Sequence, residues 1–227
     1  VHGSILAIAG ILVRIIGMLY RIPVVNIIGS EGNGIYGAAF NIYNIMLVLS
    51  SYGLPMAVSK LVSARFTKKR YKSAAKVLRC SLMVAVCTGG IAALLVFFGA
   101  SFIENVIYGG GLPGLAVPLR ILAPTIFLVA ILGVIRGFFQ GQSTMIPTAV
   151  SQILEQIVNA IVSIAAGYGM MKAFASLPDV AAYGAAGSTL GTAMGALTAV
   201  LFMGFLYAVY TPTFNRLKRK DRHTENQ

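Results

Sequence analysis

Hydrophobic residues in this chain run in long blocks separated by short polar segments. Six blocks stand out, at residues 4–29, 35–58, 80–103, 117–140, 147–171 and 183–210. Each reaches the ~20 mostly apolar residues that a helix needs to cross a bilayer. In hydrocarbon, only helices and closed barrels satisfy their own backbone groups. The blocks are too long and too continuously apolar for barrel strands. The pattern therefore predicts an all-α, polytopic transmembrane bundle of six spans.

Composition supports that class. Of 227 residues, 57% are hydrophobic and 11% charged, with a mean hydropathy of +0.82. A soluble domain carries about 25% charged residues. The shortfall excludes an ordinary soluble enzyme, a secreted disulfide scaffold and a disordered chain. Glycine, at 25 residues, is common in membrane helices.

Charge then orients the spans. The net charge is +12, and 13 of the 18 basic residues lie in two segments, eight in residues 60–79 and five in residues 216–222. Basic clusters beside apolar spans mark cytoplasmic connections. They also suit anionic membrane lipids as partners, and this distribution argues against nucleic acid. The connection at 30–34 carries only Glu31, and that at 104–116 has Glu104 and no Lys or Arg. The N-terminus, the 60–79 connection and the basic tail are therefore assigned to the cytoplasm. Residues 60–79 read either as an amphipathic helical hairpin on the inner surface or as a solvated topology determinant. Residues 211–227 read as a basic polar tail or linker.

Little conventional catalytic chemistry is available. The histidines, His2 and His223, lie near the ends, and the six acids are scattered. Cys80 and Cys87 would lie roughly 10 Å apart along a helix, too far for a disulfide. No metal, cofactor or enzymatic role is expected. The Gly-rich segments 29–34 and 109–114 lack the Lys-Ser/Thr of a phosphate loop and read as turns.

The informative residues are polar groups inside apolar blocks. Arg14 and Arg21 lie two turns apart on one face, with Gly3, Gly10 and Gly17 on the same stripe. An arginine near mid-membrane costs at least ~2.5–3.5 kcal/mol. A cavity-lining role is one reading; snorkelling to the surface is the other. Pro23 predicts a kink beside Arg21. The second block carries Gly37, Asn41, Asn44 and Ser51 on one face, suited either to a cavity or to hydrogen bonds between helices. The fifth has the densest polar stripe, Gln152, Glu155, Gln156, Asn159 and Ser163, spaced for one helix face. Arg136 and Gln140 are the expected partners of Glu155, in a gate, a coupling site or a fixed ion pair. Gly184, Gly187, Ser188, Gly191 and Gly195 form a small-residue face for close helix packing.

Three stretches resemble a known family. They are Arg14-Ile-Ile-Gly17-Met-Leu-Tyr-Arg21-Ile-Pro23 with Gly29–Tyr36, then Ser51-Tyr-Gly-Leu-Pro55-Met-Ala-Val-Ser-Lys60, and Arg136 through Gln156. Together they resemble polysaccharide-biosynthesis and stage V sporulation protein B-like membrane proteins. These belong to the multidrug/oligosaccharidyl-lipid/polysaccharide exporter superfamily, close to the MurJ-type lipid II flippases.

The resemblance implies two six-helix lobes around a central cavity in a bacterial cytoplasmic membrane, with this chain as the N-terminal lobe and a C-terminal lobe as its partner. It implies a lipid-linked diphosphate oligosaccharide as substrate, moved by alternating access. Arg14 and Arg21 would hold the diphosphate, with Asn41 and Asn44 in the same cavity. Arg136, Glu155, Gln152, Gln156 and Asn159 would gate or couple. The arginine spacing is one residue longer than in the best-known Gram-negative flippases, and a second-helix arginine of theirs is replaced within Asn44-Ile-Met-Leu-Val48. A drug/cation antiporter of the same superfamily is the alternative, disfavoured by arginine rather than acid on the first helix. A non-transporting scaffold for cell-wall synthesis would need no intramembrane charge.

Overall fold

The computed structural model of the chain describes residues 2–178 and 180–221, and the described residues contain helices and turns but no strand. The elements are α1 (His2–Ser50), α2 (Leu54–Thr67), α3 (Tyr71–Phe102) with a π-helical extension (Ile103–Ile107), α4 (Ala116–Gly141), α5 (Ile146–Ala173) and α6 (Val180–Lys220). Among the described residues, five helical stretches are long and apolar enough to cross a membrane, the first being 3–67.

That first stretch is not one rod. Gly29 sits at φ 74°, ψ −178°, a backbone region essentially confined to glycine. Arg21 donates from Nη2 to Asn33 Oδ1 at 3.1 Å, and its guanidinium lies 4.3 Å from the Tyr36 ring centre. Along a straight helix, residues 21 and 33 would stand about 18 Å apart, beyond the joint reach of these side chains. The chain therefore doubles back at Gly29, and α1 is two antiparallel limbs, residues 2–28 and 30–50. Pro23 keeps helical angles, and the reversal of the chain falls at Gly29. Residues 30–34, expected as a connection, are helical from Ser30 onward. Likewise the apolar block 35–58 is interrupted by a turn at residues 51–53, and Pro55 lies in the first turn of a separate helix, α2, where proline lacks no needed donor.

Packing fixes the direction of each helix. Gly17 meets Gln156 and Tyr20 meets Asn159, so the first limb and α5 run parallel. Gly191 packs on Asn159 and Ser163 while Gly195 packs on Glu155, so α5 and α6 are antiparallel. The Gly29 hinge, residues 108–115 and the start of α6 gather at one end: Gly32 abuts Ala181, and Gly114 abuts Ala182. Both basic segments lie at the other end, where the Lys72 backbone N–H donates to Asp221 at 2.9 Å. Alternating crossings explain this arrangement.

Four devices hold the bundle. The small-residue face of α6 permits backbone contact with α5: a Cβ on Gly195 would lie 2.6 Å from the Glu155 carbonyl oxygen. A second glycine stripe, not anticipated from the sequence, serves α4. Gly133, Gly137 and Gly141 receive Pro55, Val58, Ser59 and Val62 of α2, with the Pro55 carbonyl 2.6 Å from a Cβ on Gly137. At the basic end, Phe66, Phe138, Tyr210 and Phe214 form an aromatic cluster joining α2, α4 and α6. At the hinge end, Glu104 accepts from the Gly114 and Ala116 N–H groups at 2.7 and 3.2 Å. That carboxylate caps α4 and complements its dipole.

Residues 60–79 form a helix–turn–helix: α2 carries Lys60 and Arg65, the turn Lys68–Arg70, and α3 begins at Tyr71. Residues 211–220, expected as a tail, continue α6 with Phe214 buried. They stay helical because Phe214 and Tyr210 anchor them in the aromatic cluster. Residues 222–227 of that segment lie outside the described residues.

Candidate functional site

The polar stripe of α5 meets the first limb of α1 on one side and α4 and α6 on the others. Its composition explains this position. A stripe of amides, one acid and serines cannot face lipid without large cost, so each member turns toward a partner or a gap between helices.

At the α4–α5 junction the stripe forms a fixed ion pair. Arg136 donates from Nη2 to Glu155 Oε2 at 2.9 Å and from Nε to Ser151 Oγ at 3.0 Å. The Ser151 hydroxyl donates to the Thr148 carbonyl at 2.8 Å, and Gln140 donates to Thr148 Oγ1 at 3.2 Å. The guanidinium is thus oriented by two acceptors, and Ser151 is itself held. The side chains of Arg136 and Glu155 are 15% and 27% exposed, so the pair is largely shielded, yet a face of Glu155 stays open.

Further along α5, Asn159 donates to the Tyr20 hydroxyl at 3.4 Å, and the Ser163 hydroxyl donates to Asn159 Oδ1 at 2.8 Å. Gln156 stands against Gly17, its Nε2 3.2 Å from the site of a Cβ. Glycine at 17 therefore leaves room for the Gln156 amide beside the arginine stripe. The parallel register of these helices puts Arg14 level with Gln152 and Glu155.

The two arginines of the first limb differ in their surroundings. Arg21 is half-buried, bonded to Asn33 and stacked on Tyr36. It holds the two limbs together near the hinge. Arg14 is exposed, and among the described residues it makes no hydrogen bond or ion pair. Asn41 and Asn44 are likewise exposed, whereas Ile35, Ala39, Tyr43 and Leu47 of the same limb are buried. The antiparallel register set by Arg21 with Asn33 and Tyr36 brings Arg14 level with residues 40–43.

Sequence reasoning passed over Tyr20, Asn33, Tyr36, Ser151 and Thr148. Asn33 was hidden by its place in an expected turn. Ser151 lies one residue from the stripe and could have been found at i−4 from Glu155. No group of three or more metal-ligating side chains occurs among the described residues.

A family model described as "Polysaccharide biosynthesis protein" matches residues 2–224.

The chain belongs to the polysaccharide biosynthesis protein family.

Three relatives from Bacillus subtilis (strain 168) agree with the family match. The lipid II flippase MurJ is 35% identical over 167 residues, covering 71% of this chain and 31% of that protein. Stage V sporulation protein B is 32% identical over 200 residues, covering 88% and 37%. The uncharacterized membrane protein YabM is 30% identical over 222 residues, covering 98% and 39%. The chain thus spans about a third of the length of the curated relatives it matches. Among solved structures, an outward-facing multidrug resistance MATE family transporter of the MOP superfamily aligns with a TM-score of 0.69 at 17% identity, covering 93% of this chain and 45% of that one. The chain is therefore an all-α, multi-pass membrane bundle whose fold matches 45% of that transporter's chain.

Proposed function

We propose that this chain is the N-terminal lobe of a flippase for a lipid-linked diphosphate oligosaccharide or peptidoglycan precursor, working by alternating access against a C-terminal lobe. The observation that carries the reading is Arg14: an exposed arginine within an apolar limb, level with the α5 polar stripe. An arginine in a region of low dielectric needs an anionic partner, and a guanidinium matches phosphate oxygens bidentately. Asn41 and Asn44 lie near its level on the second limb and would add hydrogen bonds to sugar or phosphate. Arg21 would contribute charge to the same site from its anchored position.

Gln156 and Asn159 would pass movement of α5 to the arginine limb through Gly17 and Tyr20. The Arg136–Glu155 pair, with Gln152 beside it, would serve as the gate or coupling site. A cationic drug would meet arginine where an antiporter needs an acid, so the anionic substrate class is favoured.

The test is complementation of a strain lacking its lipid II flippase by the full-length protein. Arg14→Ala is expected to fail and Arg14→Lys to be at best partly active. Full complementation by Arg14→Ala at normal expression would remove the reason for this assignment.

Orientation is proposed with it: the end holding residues 60–79 and the C-terminal turns of α6 faces the cytoplasm. In a background with Cys80 and Cys87 replaced, a cysteine at Gly110 is expected to react with an impermeant thiol reagent on intact cells, and one at Lys69 to be protected. The reverse pattern would invert the topology.

A further inference from the structure

At the basic end, α3 and α6 do not close against each other. Between them lies a cavity of about 250 Å³, lined by Lys72, Ala75, Leu78, Arg79, Tyr207 and Lys218. Three cationic side chains converge on it over a floor of Ala75 and Leu78. Asp221 is buried and accepts the Lys72 backbone N–H, which ties the end of α6 to the start of α3 beside the cavity. Lys218 also lies 5.1 Å from the Phe214 ring centre, which places its ammonium at the seam between the aromatic cluster and the cavity.

The surroundings distinguish this cavity from a solvated basic surface. α3 has 32 residues and α6 has 41, both longer than the roughly 20 that span the hydrocarbon. Their basic turns therefore stand at the membrane boundary. One and two turns further into the span, on the face of α3 that carries Arg79, come Met83 and Val86, both exposed. On the face of α6 that carries Tyr207 comes Gly204, with open space beside it. Toward the span, the cationic cradle is thus followed by exposed apolar side chains on α3 and open space beside Gly204 on α6. That order suits an amphiphile with an anionic head.

We infer that this cavity is a binding site for the phosphate headgroup of an anionic phospholipid, with Lys72, Arg79 and Lys218 on the phosphate and the acyl chains along Met83, Val86 and Gly204. Basic pockets between membrane helices suit such headgroups. A phosphate from solution offers the same head chemistry but gains nothing from the apolar positions. The site lies at the opposite face of the lobe from Arg21 and Asn33 and is independent of the transported substrate.

The test uses the full-length protein in detergent, titrated with phosphatidylglycerol, phosphatidylcholine of the same chains, and inorganic phosphate, with bound lipid counted by native mass spectrometry. Saturable retention of phosphatidylglycerol over phosphatidylcholine is expected, with no displacement by millimolar phosphate. The Lys72→Gln/Lys218→Gln pair is expected to weaken it about tenfold or more, two interfacial basic charges being removed. Lys60→Gln/Lys68→Gln, which removes the same charge elsewhere, should leave it unchanged, and Lys72→Arg/Lys218→Arg should retain it. Equal loss in both glutamine pairs would show diffuse attraction and overturn the site. Displacement by inorganic phosphate would overturn the lipid assignment. Should the Lys72/Lys218 glutamine pair misfold, phosphatidylglycerol preference in the arginine pair decides: its absence overturns the proposal. None of these outcomes bears on complementation by Arg14 variants.

Discussion

Glu155→Gln in the full-length protein is expected to abolish transport while protein amount and fold stay near normal. Glutamine keeps the shape and one acceptor for Arg136, so the hydrogen bond at 2.9 Å can persist in a neutral form. What disappears is the negative charge that balances the guanidinium. Stripping one partner from a fully buried pair costs about 3–5 kcal/mol. Here Ser151 still holds Nε and Glu155 is 27% exposed, so a stability loss nearer 1–2 kcal/mol is expected. The functional loss should be far larger, because an uncompensated Arg136 would attract the anionic substrate to the gate and hold it there. A double neutral variant, Arg136→Gln with Glu155→Gln, separates the roles. If the loss comes from the uncompensated Arg136 charge, removing both charges restores transport; if the ionised Glu155 itself couples or gates, transport stays lost. Flipping assays on reconstituted protein, with thermal unfolding as the fold control, read both.

The second large effect is on folding. Gly191→Val should destabilise the packing of α5 on α6. A Cβ at this position would collide with Ser163 Oγ and lie 2.6 Å from the Asn159 carbonyl oxygen. Overpacking commonly costs about 1–3 kcal/mol, and the upper end applies where backbone must yield. The hydroxyl of Ser163 would also lose its place against Asn159 Oδ1 and the Ser188 carbonyl, disturbing the polar stripe itself. Gly204→Ala is the control, since open space surrounds that position. A fall of several degrees in the unfolding midpoint is expected for Gly191→Val and almost none for Gly204→Ala. Equal midpoints would mean that the α5–α6 contact is looser than described.

These two cases show what could be read from the sequence alone. The α5 stripe and the α6 small-residue face were legible because both obey helical spacing within one element. The Arg136–Glu155 pair was legible because the turn between α4 and α5 is short, which forces the facing ends together. The Gly29 hinge was not: six residues with three glycines looked like a turn, and only the backbone angle shows that a single residue reverses the chain. That hinge decides the fate of Arg21. Same-face spacing put it with Arg14, but the reversal delivers Asn33 and Tyr36 to its guanidinium and leaves Arg14 as the exposed one. The stripe Gly133, Gly137 and Gly141 was hidden for a related reason. Its partner α2 lay inside what read as a continuous apolar block, and nothing local marks the turn at residues 51–53 as a helix boundary except Gly53 and Pro55.

The central claim is that Arg14 selects a diphosphate anion, and equilibrium binding measures it most directly. The full-length protein in lipid nanodiscs would be titrated with a polyprenyl-diphosphate sugar, with the matching polyprenyl monophosphate, and with a lipophilic cation. The account predicts saturable binding of the diphosphate, weaker binding of the monophosphate and none of the cation. Arg14→Ala should weaken diphosphate binding by about tenfold or more, the loss of one charge-assisted bidentate contact. Unchanged diphosphate affinity in Arg14→Ala, or cation binding as tight as that of the diphosphate, would contradict it.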